Sequence, residues 1–349
     1  MKKLTVKTKS KNYEIIIEAG ILDEIEKYLP KNKKFFLITN DNLLKLYPDF
    51  ICKFEHKVII KDGEEYKNFA SYEYIINELL NQKIERKDCI IAFGGGVTGD
   101  LAGFAASTVL RGVSYVQIPT TLLAQVDSSV GGKTGFNTKY GKNLIGAFYQ
   151  PDTVLTDTDI LSTLPYKQVK TGMGEVVKYS FIEKNCSDNR DYYLYDYLNE
   201  ICSSELNFEE IIYRSCALKA SVVSYDEKEA GLRAVLNFGH TFAHGIETIT
   251  KYKKYTHGEA VAMGIKTAFE LSYNLGLIDK NYFLNSLKLI DKFELIPYNK
   301  INCDKDEYIN IMKSDKKVLD SKIRLVLPVS KGCVEIFDDI EENEIKKVI

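Results

Sequence analysis

Two hydrophobic rhythms divide this chain. Up to about residue 158, short β-rich apolar runs alternate with helical segments. The runs Phe35–Thr39, Val58–Lys61, Cys89–Phe93, Tyr115–Ile118 and Thr153–Thr156 predict strands. Between the second and third, Phe69, Tyr72, Ile76, Leu79 and Leu80 recur at helical spacing. Strands separated by helices predict a parallel sheet with helices on its faces. From Ser162-Thr163-Leu164-Pro165 onward the pattern is mostly helical. Ser162 or Thr163 suits an N-cap, and Pro165 suits a first turn. Val261, Ile265, Ala268 and Phe269 mark a later helix after His257. The run from Ile323 to Pro328 predicts a short strand, and the Tyr-, Lys- and Asn-rich stretch 185–199 an exposed helix or loop. No internal repeat appears. A chain of 349 residues is too long for one compact core. The reading is therefore α/β: a Rossmann-like parallel-sheet domain over residues 1–159, followed by a mostly α-helical domain over 160–349.

Polar and glycine-rich residues gather where the predicted strands end. Thr39-Asn40-Asp41, Asp62-Gly63-Glu64, Gly94–Asp100 and Pro119-Thr120-Thr121 all follow strand carboxyl ends. Parallel sheets hold their ligands there. Gly94-Gly95-Gly96-Val97-Thr98-Gly99 forms G-x-G-x-x-G between a strand and a helix. Without Cβ atoms such a backbone approaches a pyrophosphate, and the helix start offers free N–H donors. By itself the loop does not separate dinucleotide binding from a plain strand–helix turn.

Composition narrows the classes. A net charge of −2 removes the electrostatic case for nucleic acid or an anionic membrane. No apolar stretch reaches the roughly 18 residues of a membrane span, and no N-terminal apolar segment suggests secretion. The seven cysteines are scattered and never spaced C-x-x-C, which favours reduced thiols in a cytoplasm.

Chemistry concentrates in two further sets. Of four histidines, three lie between positions 240 and 257, namely His240, His244 and His257. His240 and His244 stand i, i+4 on one helical face. His257 opens another helix in Thr256-His257-Gly258-Glu259, and Glu175 closes Gly172-Met173-Gly174-Glu175. Two imidazoles, a carboxylate and an open position make a catalytic zinc pattern. Spacing pairs His240 with His244 as ligands; the alternative is that one binds metal while the other orients substrate or moves protons. The second set is basic: Arg111, Lys133, Lys142, Lys178, Lys219 and Arg233, all in glycine-rich or small-residue contexts. Each alone reads as a solvated cation. Lys142-Asn143 between Gly141 and Gly146 suits phosphate or carboxylate recognition.

With these residues assembled, the chain resembles the 3-dehydroquinate synthase family of sugar-phosphate cyclases. The resemblance rests on Asp62-Gly63-Glu64 with Lys67, Gly94–Asp100, Pro119–Lys133, Lys142–Pro151, Gly174–Lys178, Glu229–Arg233, Asn237–His244 and His257-Gly258-Glu259. It implies an N-terminal NAD-binding domain, a helical C-terminal domain and an active site between them. It implies that Glu175, His240 and His257 hold a divalent metal, zinc or cobalt, which leaves His244 to handle protons or orient substrate. NAD contacts are implied for Asp62, Gly63, Glu64, Lys67, Gly95, Gly96, Val97, Thr98, Gly99, Asp100, Thr120, Thr121, Leu123, Asp127, Lys133 and Lys142. Further contacts are implied for Ile160, Leu161, Ser162, Thr163, Leu164 and Gln168. Substrate contacts are implied for Asp127, Lys133, Asn143, Lys178, Lys219, Arg233, Asn237 and His244, with Arg111 reaching in from the other subunit of a homodimer. Lys133, Lys178, Glu229, Asn237 and His244 carry the implied catalytic roles, and one of Lys316 and Lys317 reaches the substrate.

The implied reaction is a carbon–oxygen lyase step of the shikimate route to chorismate and aromatic amino acids. 3-Deoxy-D-arabino-heptulosonate 7-phosphate is oxidised transiently by NAD, loses phosphate, is reduced again and closes by an intramolecular aldol addition. The rivals are a sister cyclase acting on another sugar phosphate, a metal-dependent NAD polyol or alcohol dehydrogenase, and a non-enzymatic NAD- or metal-binding protein.

Overall fold

The computed structural model describes residues 1–229, 231–297, 303–314 and 323–349. In chain order, β1 (Lys2–Val6), β2 (Tyr13–Glu18) and β3 (Phe35–Asn40) lead into α1 (Asp41–Leu46), α2 (Pro48–Cys52) and β4 (His56–Ile60). Then follow α3 (Phe69–Asn81), β5 (Cys89–Gly94), α4 (Gly96–Thr108) and β6 (Ser114–Pro119). The hairpin β7 (Lys133–Thr138) and β8 (Gly141–Phe148) precedes β9 (Thr153–Asp157). The rest is α5 (Tyr166–Cys186), α6 (Tyr195–Glu200), α7 (Phe208–Tyr225), α8 (His240–Ile249), α9 (His257–Asn274), α10 (Lys280–Lys292) and α11 (Lys305–Ser314). A final hairpin, β10 (Leu325–Ser330) and β11 (Cys333–Phe337), and α12 (Glu342–Val348) end the chain. Two compact units result: Met1–Pro165 with Phe208–Lys228, and Tyr166–Asn207 with Glu229–Ile349.

The first unit is built on a seven-stranded sheet of order β1-β2-β9-β6-β5-β3-β4. All pairings are parallel except β1 against β2, an antiparallel edge beyond the predicted parallel core. Successive residues of each strand feed opposite cores. Phe36, Ile38, Ile90 and Ala92 pack with Ile75, Leu79, Leu101 and Ala105, while Leu37, Ile91 and Phe93 pack with Phe50 and Ile51. Burial of both faces explains why these strands are continuous apolar runs rather than alternating ones. The chain leaves β3 toward β4, then crosses back to β5, β6 and β9. The reversal falls between β3 and β5, the position where sheets of this kind open a ligand crevice.

A division at 159/160 assigns α7 to the helical half, but α7 packs on β1, on β2 and on the π-helical turn Ala124–Ser128. Its Glu210 forms ion pairs with Lys2 and Arg214. The apolar residues Ile211, Ile212, Leu218 and Val222 need a core, and the sheet edge provides one.

In the second unit α5 and α9 are buried nearly all round, as central helices are. Phe181 of α5 and Phe269 of α9 meet with ring centroids 4.7 Å apart, and Phe238, Tyr195 and Tyr282 complete the aromatic core. Two local expectations change. Ser162 and Thr163 do not cap α5; their hydroxyls donate back to the carbonyls of Asp159 and Ile160 and close a 3₁₀ turn. The stretch 185–199 is not simply exposed: Leu194 and Leu198 are fully buried, and Glu183 accepts the backbone N–H groups of Leu194 and Tyr195.

Candidate metal centre and cofactor loop

Glycines bring the metal candidates together. A Cβ on Gly174 of α5 would lie 2.6 Å from the carbonyl oxygen of Gly258, and one on Gly258 would strike the Thr171 backbone. Only glycine at both positions lets α5 and α9 cross this closely. The crossing sets Glu175 beside His257, each next to its glycine. Gly239 does the same for α8: its φ of +77° starts the helix, and a Cβ there would lie 2.6 Å from the Ile265 side chain. His240 is the next residue. Thr256 caps α9 by accepting from the Glu259 N–H, while Glu259 accepts from the Thr256 N–H, so Glu259 of that motif is a capping residue.

Among the described residues, the ligand atoms of Glu175, His240 and His257 all lie within 4.8 Å of one another. Both imidazole Nε2 atoms stand 3.4 Å from Glu175 Oε1. Their other nitrogens are engaged, His240 Nδ1 3.1 Å from the Phe238 carbonyl and His257 Nδ1 3.2 Å from Glu247 Oε1. That arrangement turns both Nε2 atoms inward. Glu175 is 1 % exposed, and neither of its oxygens accepts a well-formed hydrogen bond, although Lys178 and both imidazoles are at ion-pair range. A buried carboxylate in that state fits a metal ligand.

The charges agree. Burial works against the Glu175 charge, but Lys178 and His240 hold its carboxyl well below the usual range. Burial lowers His240 to about 4, so it stays neutral with a free lone pair. Burial also opposes charge on His257, yet the two carboxylates that flank its ring, Glu175 and Glu247, raise it to about 10. Two carboxylates facing one imidazole make the site electronegative, which suits a cation. His244 is outside the ligand cluster, its ring 5.8 Å from that of His240, so the i, i+4 pairing of His240 with His244 gives way to Glu175, His240 and His257.

In the first unit β5 ends at Gly94, Gly95 is the N-cap and α4 begins at Gly96. A Cβ on Gly95 would come within 3.1 Å of Thr121, and one on Gly96 within 3.3 Å of Ser128. Gly95, Gly96, Gly99, Asp100 and Ser128 line a cavity there. Thr98 is buried beneath the loop, Val97 is half-buried, and Asp100 is ion-paired with the buried Lys67. Thr120 donates its N–H to the Gly94 carbonyl, and Leu123 precedes the turn that holds Asp127. Lys219 of α7 donates to both the carboxylate and the carbonyl of Asp127, each at 2.8 Å.

Asp62, Gly63 and Glu64 follow β4, with Asp62 accepting from Asn40. Glu64 accepts from Asn137 Nδ2 at 2.8 Å, and Asn137 Oδ1 accepts the N–H of Asn143, whose φ is +52°. Lys133 and Lys142 are exposed near opposite ends of the hairpin. Ile160 and Leu161 are buried in the 3₁₀ turn that also holds Ser162 and Thr163, with Leu164 just after it. Arg111 is exposed at φ +68°, between Leu110 at +50° and Gly112 at +115°.

In the second unit Gln168 is exposed on α5. Lys178 and Arg233 are each 2 % exposed. Arg233 and Asn237 share a 3₁₀ turn just before His240, and Glu229 is held at φ +62°. Lys316 and Lys317 lie outside the described residues. Sequence reasoning missed Glu247 and Asn137. Glu247 stands seven residues after His240 on the same helix, which was a usable signal; Asn137 had none before the hairpin register was known.

A seven-stranded α/β unit with a glycine-loop cleft, joined in one chain to a helical unit with a three-ligand cluster, is a two-part fold that solved synthases and dehydrogenases share. A solved 2-deoxy-scyllo-inosose synthase complexed with carbaglucose-6-phosphate, NAD+ and Co2+ matches with TM-score 0.86 and 26% identity over 99% of both chains. A probable glycerol dehydrogenase from Sinorhizobium meliloti shares the fold at TM-score 0.67 and 17% identity, covering 96% of this chain and 94% of its own. Sequence separates the branches. Residues 57–171 match the 3-dehydroquinate synthase N-terminal family and 172–318 the 3-dehydroquinate synthase C-terminal family. The 3-dehydroquinate synthase of Alkaliphilus metalliredigens is 42% identical over 345 residues, 96% of this chain and 95% of that protein. The chain belongs to the 3-dehydroquinate synthase family.

Proposed function

We propose that this protein is a 3-dehydroquinate synthase, converting 3-deoxy-D-arabino-heptulosonate 7-phosphate to 3-dehydroquinate and phosphate. The observation that carries the reading is the 42% identity to a named 3-dehydroquinate synthase along almost the whole of both chains. The ligand cluster of Glu175, His240 and His257 and the glycine-loop cleft supply sites for the two cofactors the chemistry needs. NAD and Co2+ accompany the solved 2-deoxy-scyllo-inosose synthase, and we infer NAD and one divalent ion, zinc or cobalt, for this chain. Bound, they supply a reversible hydride acceptor and a Lewis acid for substrate hydroxyls.

The chain's own residues do the rest. Glu175, His240 and His257 hold the ion. The backbone N–H groups of Gly95–Thr98 at the start of α4 receive the pyrophosphate, with Gly99 leaving room for it and Glu64, Lys67, Asp100, Thr120 and Thr121 around the nucleotide. Lys142 joins the nucleotide contacts, while Lys133, Asn143, Lys219 and Arg233 bind the phosphate and carboxylate of the substrate, and buried cations such as Lys219 and Arg233 discriminate charge strongly. His244, Glu229 and Lys178 exchange protons with it, with Asn237 as an orienting donor. The left-handed backbone at Glu229 is of the kind found where a side chain is aimed for chemistry.

We further propose a homodimer in which Arg111 serves the partner's site, since an exposed arginine on three successive positive-φ residues is projected from the surface. The assay follows phosphate release and NADH absorbance together. Phosphate release without lasting NADH supports the synthase. Stoichiometric NADH overturns it in favour of the dehydrogenase chemistry of the related fold. Mixing Arg111→Ala with Lys142→Ala subunits restores part of the activity if Arg111 acts across the dimer, and none if it acts in its own subunit.

A further inference from the structure

We propose that Glu247 is a positioning residue of the metal centre, a carboxylate that fixes His257 as a ligand and sets how tightly the ion is held. This inference rests on the reading that Glu175, His240 and His257 bind a divalent ion. Glu247 lies on α8, two turns beyond His240, and is 5 % exposed. Its Oε1 stands 3.2 Å from His257 Nδ1. His257 Nε2 in turn faces Glu175 Oε1 at 3.4 Å. A proton on Nδ1 donated to Glu247 leaves the Nε2 lone pair directed into the cluster, so the hydrogen bond selects the metal-binding tautomer.

The two histidines are oriented by unlike groups. His240 leans on the neutral carbonyl of Phe238, whereas His257 leans on a buried anion. A carboxylate removed from water is costly without compensation, and here it lies against the ring of a ligand that it makes more basic. α8 thereby holds the centre twice, through His240 directly and through Glu247 by way of His257. Because His257 belongs to α9, Glu247 also ties that ligand to the neighbouring helix.

The test uses full-length protein stripped of metal with a chelator, titrated with zinc in competition with a fluorescent indicator. Wild type binds most tightly. Glu247→Gln, nearly isosteric and still an acceptor, binds several-fold more weakly because the negative charge is gone. Glu247→Ala binds about 10–100-fold more weakly, the loss typical of removing such an orienting partner. In the cobalt-loaded protein, Glu247→Gln also shifts the visible ligand-field bands, which a purely structural role leaves in place. Should Glu247→Ala fail to fold, Glu247→Gln decides. Wild-type zinc affinity and an unshifted cobalt spectrum in Glu247→Gln overturn the proposal. Failure of the wild type itself to bind zinc instead overturns the metal reading on which it rests.

Discussion

The glycine loop and the metal cluster solve the same problem, placing a charged group, by opposite routes. The loop is contiguous: Gly94 to Asp100 turn from β5 into α4, and a strand followed by a glycine-rich helix start is enough to form it. The cluster is assembled. Glu175, His240 and His257 come from three helices, and each ligand is preceded or followed by a glycine that allows a close backbone approach. The loop therefore depends on local geometry and the cluster on helix crossings. Substitutions in the two regions fail differently.

Removing a ligand has the largest effect. His257→Ala takes away one of three protein ligands and should lower turnover on the order of 10³-fold, in line with the several kcal/mol a bound ion contributes. Metal analysis of the purified variant checks it, and full occupancy would contradict the assembly. His244→Ala should keep its metal while slowing turnover, since His244 is outside the ligand cluster.

Glycine changes sharpen the contrast. Gly258→Ala forces a Cβ into the Thr171 backbone at the α5–α9 crossing. Overpacking of this kind costs about 1–3 kcal/mol, so the thermal midpoint should fall by several degrees and zinc affinity should fall with it. Gly95→Ala brings its Cβ against the Thr121 side chain, nearest at Cγ2, 3.1 Å away. It should leave the midpoint nearly unchanged but weaken NAD binding roughly tenfold, about 1.4 kcal/mol, if the loop receives the pyrophosphate as proposed. Equal losses of stability in the two variants would erase the distinction.

The same contrast governs what the sequence reveals. The strands ending at Gly94 and Pro119 are legible because a doubly covered parallel sheet makes them unbroken apolar runs. Histidine spacing alone pairs His240 with His244, since i, i+4 is visible in one dimension and a helix crossing is not. Resemblance to the family supplies Glu175 and His257 instead. The β7–β8 hairpin stays hidden because its glycines, Gly135 against Gly146, carry no strand propensity and are there for backbone contact. The allegiance of α7 is hidden for another reason: its apolar face fits any core, and only the fold decides that it covers β1 and β2.

The hairpin gives the finest test, because it links Glu64, proposed for the nucleotide, to Asn143, proposed for the substrate, within the first unit. Asn137 donates to Glu64 through Nδ2 and accepts from the Asn143 N–H through Oδ1, while its own N–H donates to the Lys67 carbonyl. The Asn143 bond supports a left-handed backbone that asparagine tolerates well. Each side-chain bond is worth about 0.5–1.5 kcal/mol. Asn137→Ala should accordingly raise KM for both NAD and substrate about three- to tenfold, with kcat little changed. Asn137→Asp separates the two arms. Its carboxylate still accepts from Asn143 and so preserves the substrate KM, but it faces Glu64 with like charge and should weaken NAD at least as much as alanine does. If Asn137→Asp instead spares NAD and harms substrate binding, the bond to Glu64 does not position the nucleotide residue. The hairpin would then serve the substrate alone.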